Sequence, residues 1–195
     1  MFNEILKSKP QGHLRIWEKE SGNILLEQHN DINPENFSYA IASSLTGLLD
    51  ESGNCYGHIR KMVFGNGGAR VTSSNKYIYS VPQTVGRAAT LYNQIYEKDI
   101  IKNKDEDNYM SVTHATGNEY SDIVIRCTIP MDEKVTDRNV AVEDENNSII
   151  NDVTFNEIGL VTTGGDLITH ICFFPIQKNS NTSLVIEYII RIQIV

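Results

Sequence analysis

The stretch that most constrains the fold is SLVIEYIIRIQIV, residues 183–195, in which apolar residues occupy most positions. Successive side chains of a β-strand point to opposite faces, so one face of this stretch would be continuously apolar: Leu184, Ile186, Tyr188, Ile190, Ile192 and Ile194. Val185, Ile189 and Val195 make the other face partly apolar as well. Such a strand is typical of the centre of a sheet, or of a strand that pairs with a partner chain.

Strand patterns recur along the chain. YSDIVIRCTIPMD (120–132) places four apolar residues on one face: Ile123, Ile125, Cys127 and Ile129. Two hairpins are predicted, HLRIWEKESGNILLEQHND (13–31) with its turn at 21–23, and VTFNEIGLVTTGGDLITHICFFPI (153–176) with its turn at 163–166. HIRKMVFGNGG (58–68) predicts a short strand that leads into a glycine loop.

Two segments have helical spacing. NPENFSYAIASSLTGLLD predicts a helix near 34–49, with Asn33 as N-cap, Pro34 in the first turn and an apolar stripe at Phe37, Ile41, Leu45 and Leu48. TVGRAATLYNQIYEKDI (84–100) is compatible with a short helix, because several apolar residues would share a face: Ala88, Leu91, Tyr92 and Ile95.

The remaining segments read as loops. Residues 70–83 predict an irregular connection, an extended loop is expected near 97–119, and 135–152 predict a surface loop with a short strand. Residues 1–11 are expected to form an N-terminal arm, and 12–195 a single β-rich domain. We therefore predict a mainly β fold, an antiparallel β-sandwich with one or two inserted helices and long loops.

Charge and composition limit the partners. There are 17 Lys and Arg against 25 Asp and Glu, a net charge of -8, and the pI is about 5.1. This disfavours nucleic acid and anionic membranes, because phosphate binding requires a basic surface. No apolar run suffices for a signal peptide or a bilayer span, so we expect a soluble protein made in the cytoplasm. Cys55, Cys127 and Cys172 are odd in number and widely spaced, which favours reduced thiols.

The glycine loop FGNGG could suggest a nucleotide site, but its pattern is wrong. Gly65, Gly67 and Gly68 match neither GxxxxGK[ST] nor GxGxxG, and no convincing helix follows. They are interpreted instead as a tight turn that requires positive φ, and Gly164 and Gly165 as the turn of the last hairpin.

Metal and catalytic residues are not predicted. Cys55, His58, His170 and Cys172 together form a ligand set that zinc accepts, and His170 and Cys172 would share a face of a strand, but apolar packing of Cys172 is favoured. There is no GxSxG motif, and the acidic runs DED and EDE lie in hydrophilic loops. We therefore expect no catalytic residue, no cofactor, no metal and no small-molecule substrate.

Tyr77 and Tyr79 could form an exposed binding patch or belong to an edge strand.

Several short motifs follow one another in a distinctive order: GNILLEQHNDI, FSYAIASSLTGLL, IRKMVFGNGG, VPQTVGRAATLYNQIYEK, DIVIRCTIP, FNEIGLVTTGGDLITHICFFPIQK and SLVIEYIIRIQI. In this order the chain resembles structural proteins of tailed-bacteriophage virions, namely small tail, neck, collar or baseplate proteins and the N-terminal attachment modules of tail fibres. Glu157, Gly159 and Leu160 match the E.GL positions of that pattern. Gly165 and Leu167 match dG.L with a shift, because Asp166 follows the glycine here.

The resemblance implies a non-enzymatic virion component that assembles with copies of itself and with other virion proteins, using its arm and loops as contacts. It implies location in the virion after synthesis in the bacterial host cytoplasm. Since fibre modules continue into a shaft and this sequence stops at its last strand, a stand-alone adaptor is expected. The alternative is a carbohydrate- or receptor-binding β-sandwich. A polysaccharide hydrolase would need two carboxylates across a cleft, and the sequence predicts no such pair.

Overall fold

The computed structural model describes residues 10–100, 107–131, 133 and 153–193. Within these ranges the chain forms one helix, α1 (Pro34–Thr46), and eleven strands. The strands are β1 (Gln11–Glu18), β2 (Ile24–Ile32), β3 (Ile59–Gly65), β4 (Ala69–Val71), β5 (Tyr77–Tyr79), β6 (Gln94–Asp99), β7 (Tyr109–Thr113), β8 (Tyr120–Ile129), β9 (Val153–Thr162), β10 (Leu167–Lys178) and β11 (Leu184–Gln193). The described helix is neither long nor apolar enough to cross a membrane.

Nine strands form one curled antiparallel sheet in the order β6-β3-β9-β10-β2-β1-β11-β8-β7, and β4 pairs with β5 in a separate hairpin. The predicted mainly β, sandwich-like fold is confirmed, and both predicted hairpins, β1–β2 and β9–β10, form as antiparallel pairs. The two halves of the sheet join where β10 meets β2, through the register pairs Thr169 with Ile32 and His170 with Asp31. This short junction lets the sheet curl around its apolar face.

Strand β11 lies in the interior of the sheet. It pairs with β1 on one edge, where Gln11 faces Arg191, and with β8 on the other, where Ile190 faces Ile123. The prediction of a central strand is confirmed, and the alternative of pairing with a partner chain is wrong because both edges are occupied. The predicted apolar face is buried from Leu184 to Ile190 and partly buried at Ile192. One core cluster includes side chains from both halves of the sheet, among them Leu14, Phe64, Ile125, Phe155 and Tyr188.

Helix α1 is confirmed, but its buried face differs from the prediction. The side chain of Asn33 caps the helix by accepting from Asn36 N–H at 3.2 Å, and Gly47 ends it with φ 64°. Its buried residues are Asn36, Phe37, Ala40 and Ser43. Leu45, predicted to be in the apolar stripe, is 83% exposed. Leu48 lies beyond the helix and is also exposed.

Three predictions about connections need correction. The helix predicted over 84–100 is wrong, because 94–99 form β6 and pair with the edge of β3. The connection 70–83 contains the β4–β5 hairpin, and the loop predicted near 97–119 contains β7. Residues 1–9 of the predicted arm and the whole of the predicted loop 135–152 lie outside the described residues.

Candidate interaction surface

The β4–β5 hairpin presents large apolar side chains to solvent. Tyr77, Ile78 and Tyr79 are all exposed, and so is Val71, the register partner of Tyr77. Phe174 of β10 is 56% exposed and packs against Tyr77, with 4.7 Å between ring centroids. These five residues form what is here named the hairpin patch. Tyr77 and Tyr79 share one face of the hairpin and Ile78 lies on the other, because successive side chains of a strand alternate. Clustered exposed apolar groups mark interaction sites, so Tyr77 and Tyr79 belong both to a strand and to an exposed patch.

The base of the hairpin is tied to β9 by the buried side chain of Asn156. Gly68 N–H donates to Asn156 Oδ1 at 2.7 Å, and Asn156 Nδ2 donates to the carbonyl oxygens of Asn66 at 3.0 Å and Ala69 at 3.3 Å. Ser80 N–H donates to the Gly68 carbonyl at 2.9 Å and joins the two ends of the hairpin at this same base. One buried amide thus fixes the point from which the hairpin leaves the sheet.

Glu157, the next residue of β9, is fully buried and accepts four hydrogen bonds. Its Oε1 accepts from Gly67 N–H at 2.9 Å and Asn93 N–H at 2.8 Å, and its Oε2 from Tyr92 N–H at 2.9 Å and His170 Nε2 at 3.0 Å. Burial opposes the charge, but the hydrogen bonds from His170 and the backbone outweigh it and hold the pKa of Glu157 below its usual value. A charged carboxylate therefore joins the glycine loop to the segment before β6.

The glycines of FGNGG are required by close packing and not by positive φ. A Cβ on Gly65 would lie 2.4 Å from Oε1 of the buried carboxylate, one on Gly67 2.6 Å from Tyr92 Cβ, and one on Gly68 2.5 Å from the Asn156 carbonyl oxygen. None of the three glycines has positive φ. The chain does bend between β3 and β4, but the predicted reason for the glycines is wrong, because the backbone must approach β9 closely.

The turn between β9 and β10 uses its two glycines differently. Gly165 has φ +90°, a conformation that glycine adopts without strain. Gly164 lies under the ring of Tyr56, where a Cβ would come within 2.1 Å of ring carbons. Gly164 N–H donates to the Tyr56 carbonyl at 3.1 Å, so this turn is held against the loop that precedes β3.

His170 of β10 has both ring nitrogens engaged. Gln83 N–H donates to Nδ1 at 2.8 Å, so Nδ1 acts as acceptor and the ring proton lies on Nε2. Nε2 donates that proton to Glu157, and Sγ of Cys172 lies 3.7 Å from the same nitrogen. The predicted sharing of a strand face by His170 and Cys172 is therefore confirmed.

Cys172, His170 and Glu157 are not arranged as a nucleophile, a general base and an orienting carboxylate would be. In a catalytic triad the nucleophile and the carboxylate contact different nitrogens of the imidazole, whereas here Cys172 and Glu157 contact the same one. Burial, with the nearby charges of Glu157 and Asp31, raises the pKa of the Cys172 thiol to about 12. The thiol stays protonated at neutral pH, and His170 Nε2 has no free lone pair to accept its proton.

Glu157, His170 and Cys172 are the one cluster of metal-ligating side chains in the described ranges, with ligand atoms within 4.8 Å of one another. Cys55 and His58, considered with them from the sequence, are not part of it. A metal would have to displace the backbone donors from Glu157 and the proton from His170 Nε2, and would need the thiolate of Cys172. The donor set does not fit a metal ion well, because the carboxylate already accepts four protein hydrogen bonds.

Comparisons of the chain with protein-family models, with curated proteins and with solved structures find no match. The roles of the hairpin patch and of the Glu157 network are therefore inferred from their geometry.

Sequence reasoning missed the role of Glu157, which it treated only as part of the E.GL pattern. A signal was present, since an acidic residue interrupts the apolar run in the first strand of the hairpin predicted over 153–176. Its partners could not be found in the same way, because Gly67, Tyr92 and Asn93 contribute backbone N–H groups that any residue type carries.

Proposed function

We propose that this chain is a non-enzymatic structural component of a bacteriophage virion, which assembles as a multimer at the tail, neck, collar or baseplate and connects neighbouring virion proteins. The assignment to a virion is supported by the resemblance in motif order. The role as an assembly component is supported by one structural observation above all, the exposed hairpin patch.

The patch has properties suited to a contact between proteins. Aromatic side chains contribute most of the binding energy in many interfaces, because they bury much area at low cost in conformational entropy. The hairpin is only two strands wide, and an isolated two-stranded hairpin is marginally stable in water. Here Asn156 and Glu157 fix the chain at its base, and Phe174 supports Tyr77 from below. The patch is thus held in place before any partner binds.

The native mass of the purified full-length chain tests the proposal. We expect a multimer by native mass spectrometry and analytical ultracentrifugation. The double variant Ile78→Ser with Tyr79→Ser should weaken association by about tenfold or more, because each interfacial apolar side chain contributes about 1 kcal/mol or more.

Leu49→Ser is the matched control, because Leu49 is also exposed and apolar but lies after α1, outside the hairpin patch. A chain that stays monomeric at its highest soluble concentration, and that binds no other virion protein in a phage lysate, would overturn the proposal.

A second candidate is a carbohydrate-binding module, favoured by the exposed rings of Tyr77 and Tyr79, since sugars stack on aromatic faces. A glycan array distinguishes the two functions. Binding that is lost in Tyr79→Ser, from a chain that remains monomeric, would support the module, and an array without binding would exclude it.

A further inference from the structure

An apolar groove opens between α1 and the strands β7, β8 and β11, and none of its lining residues belongs to the hairpin patch. Its volume is about 450 Å³. Helix α1 contributes Phe37, Ile41 and Leu45 to one wall, and the facing wall contains Met110, Val112, Ile123 and Ile192. Leu45 and Val112 are 83% and 66% exposed at the rim. The stripe predicted for the helix thus points into this groove at three of its four positions.

The N-terminal end of β1 lies beside this groove. Gln11 is the register partner of Arg191, so Pro10, the residue before it, lies next to Ile192 in the adjacent strand. Ile192 lines the groove. From Ile192 to the far wall on β7 is two strand spacings, about 10 Å. Nine residues span about 14 Å as a helix and about 30 Å when extended, so in either conformation residues 1–9 are long enough to cover the groove of their own chain.

The sequence of residues 1–9, MFNEILKSK, has the chemistry that the groove requires. Phe2, Ile5 and Leu6 are spaced three and four apart, so in a helical turn they would share one face. Asn3, Glu4 and Lys7 would then face away from it. This is the pattern of an amphipathic segment that binds an apolar groove.

We propose that residues 1–9 bind in the groove of the same chain, with Phe2, Ile5 and Leu6 inserted between α1 and β7. Attachment at Pro10 favours binding within the chain, because a short tether gives the segment an effective concentration on the order of millimolar at its own groove. The segment then covers Leu45 and Val112. This differs from the expectation that the N-terminal arm contacts a neighbouring subunit, and it holds whether or not the chain is a virion protein.

Tryptic cleavage after Lys7 tests the proposal in the full-length chain. Lys7 is the one site in residues 1–9 that trypsin accepts readily, because Lys9 precedes Pro10. The protection factor is the cleavage rate of a synthetic peptide of residues 1–14 divided by the rate in the folded chain at the same bond. Since each variant is compared with its own peptide, the direct effect of a substitution on trypsin cancels.

Both sides of the contact should contribute to protection. Phe2→Ser with Ile5→Ser, and separately Leu45→Asp with Val112→Asp, should each lower the protection factor by about tenfold or more. Asn3→Ser is the control in the segment, and Val85→Asp is the control on the surface, because Val85 is 90% exposed and does not line the groove. Both controls should leave the protection factor unchanged, and circular dichroism should show every variant folded.

Two outcomes would overturn the proposal. Equal protection factors in the native chain and in both double variants would show that the groove does not hold this segment. Protection that rises with protein concentration would show that the segment binds a neighbour's groove, since binding within one chain does not depend on concentration.

Discussion

Replacing Glu157 with Gln tests whether the buried carboxylate organises the site. The change keeps the shape of the side chain but replaces one acceptor oxygen with an NH₂ group. If the NH₂ takes the place of Oε1, it faces the N–H groups of Gly67 and Asn93. If it takes the place of Oε2, it faces Tyr92 N–H and the Nε2 proton of His170.

Neither orientation of the amide can be rescued by its surroundings. His170 could move its proton to Nδ1 and accept with Nε2, but Nδ1 would then face Gln83 N–H, from which it now accepts at 2.8 Å. Two buried donors therefore lose their acceptor in either case. A hydrogen bond to a charged group contributes about 1.5–3 kcal/mol, so we expect Glu157→Gln to lower the free energy of unfolding by about 3–6 kcal/mol.

Urea denaturation of the variant, followed by circular dichroism, measures this loss. In a domain of this size the melting temperature should also fall, by about 6 °C or more. Glu51→Gln is the control, since Glu51 lies on an exposed turn after α1, and its unfolding curve should match that of the parent. A Glu157→Gln loss below about 1 kcal/mol would refute the reasoning, because it would mean that the four hydrogen bonds contribute little more than hydration of the carboxylate in the unfolded chain.

The pH dependence of the free energy of unfolding is a second test of the role of Glu157. The folded pKa of Glu157 lies below the ordinary 4.5, so its charge stabilises the fold at pH values above 4.5. That contribution is lost as pH falls from 4.5 through the folded pKa, because the unfolded chain then binds a proton that the folded chain does not. Glu157→Gln should therefore show a smaller decline of the free energy of unfolding with falling pH than the parent does.

Three further predictions concern other parts of the molecule. Gly68→Ala should lower the free energy of unfolding by about 3 kcal/mol, because its Cβ would meet the β9 backbone at 2.5 Å. Gly22→Ala should lower it by only about 1–2 kcal/mol, because Gly22 has φ +70° but open space around it. Equal losses of the two variants in urea titrations would contradict this. At pH 8 the thiol of Cys172, with a pKa of about 12, should react with a disulfide reagent about 1,000-fold more slowly in the folded chain than in urea. Mass spectrometry of the labelled peptides measures both rates, and equal rates at Cys172 would contradict the prediction. Asn33→Ala should cost about 2 kcal/mol, because it removes the α1 cap and a 2.9 Å donation to the Gly86 carbonyl. Asn33→Ser, which keeps a capping oxygen, should cost less, and the reverse order of melting temperatures would contradict the assignment.

The elements that the sequence predicted well are those whose own pattern decides their structure. Strand β11 could be assigned to the centre of a sheet because both of its faces are apolar, and α1 because its cap and first turn are local. The helix predicted over 84–100 failed for the opposite reason. Its spacing suits a helix, but Tyr92 and Asn93 direct their N–H groups to Glu157, and β6 pairs with β3. Contacts distant in sequence outweighed a weak local preference.

The candidate site could be predicted only in part. Exposure of Tyr77 and Tyr79 was one of two alternatives that their spacing left open, and only the fold shows that Phe174 packs against Tyr77. The positive φ expected for Gly67 and Gly68 was wrong, because a glycine can be needed for its conformation or for its small size and the sequence does not distinguish these.

The position of β11 has a consequence for how the chain is made. Strand β1 emerges early from a ribosome, yet one of its edges is completed only by β11, as the pairing of Gln11 with Arg191 shows. Until that distant strand is synthesised, the β1–β2 hairpin has an open edge and an uncovered apolar face. Pairings so far apart in sequence are typical of slow folding. We therefore expect nascent chains that lack β11 to depend on chaperones, and the half of the sheet with β1, β8 and β11 to close only after β11 has left the ribosome.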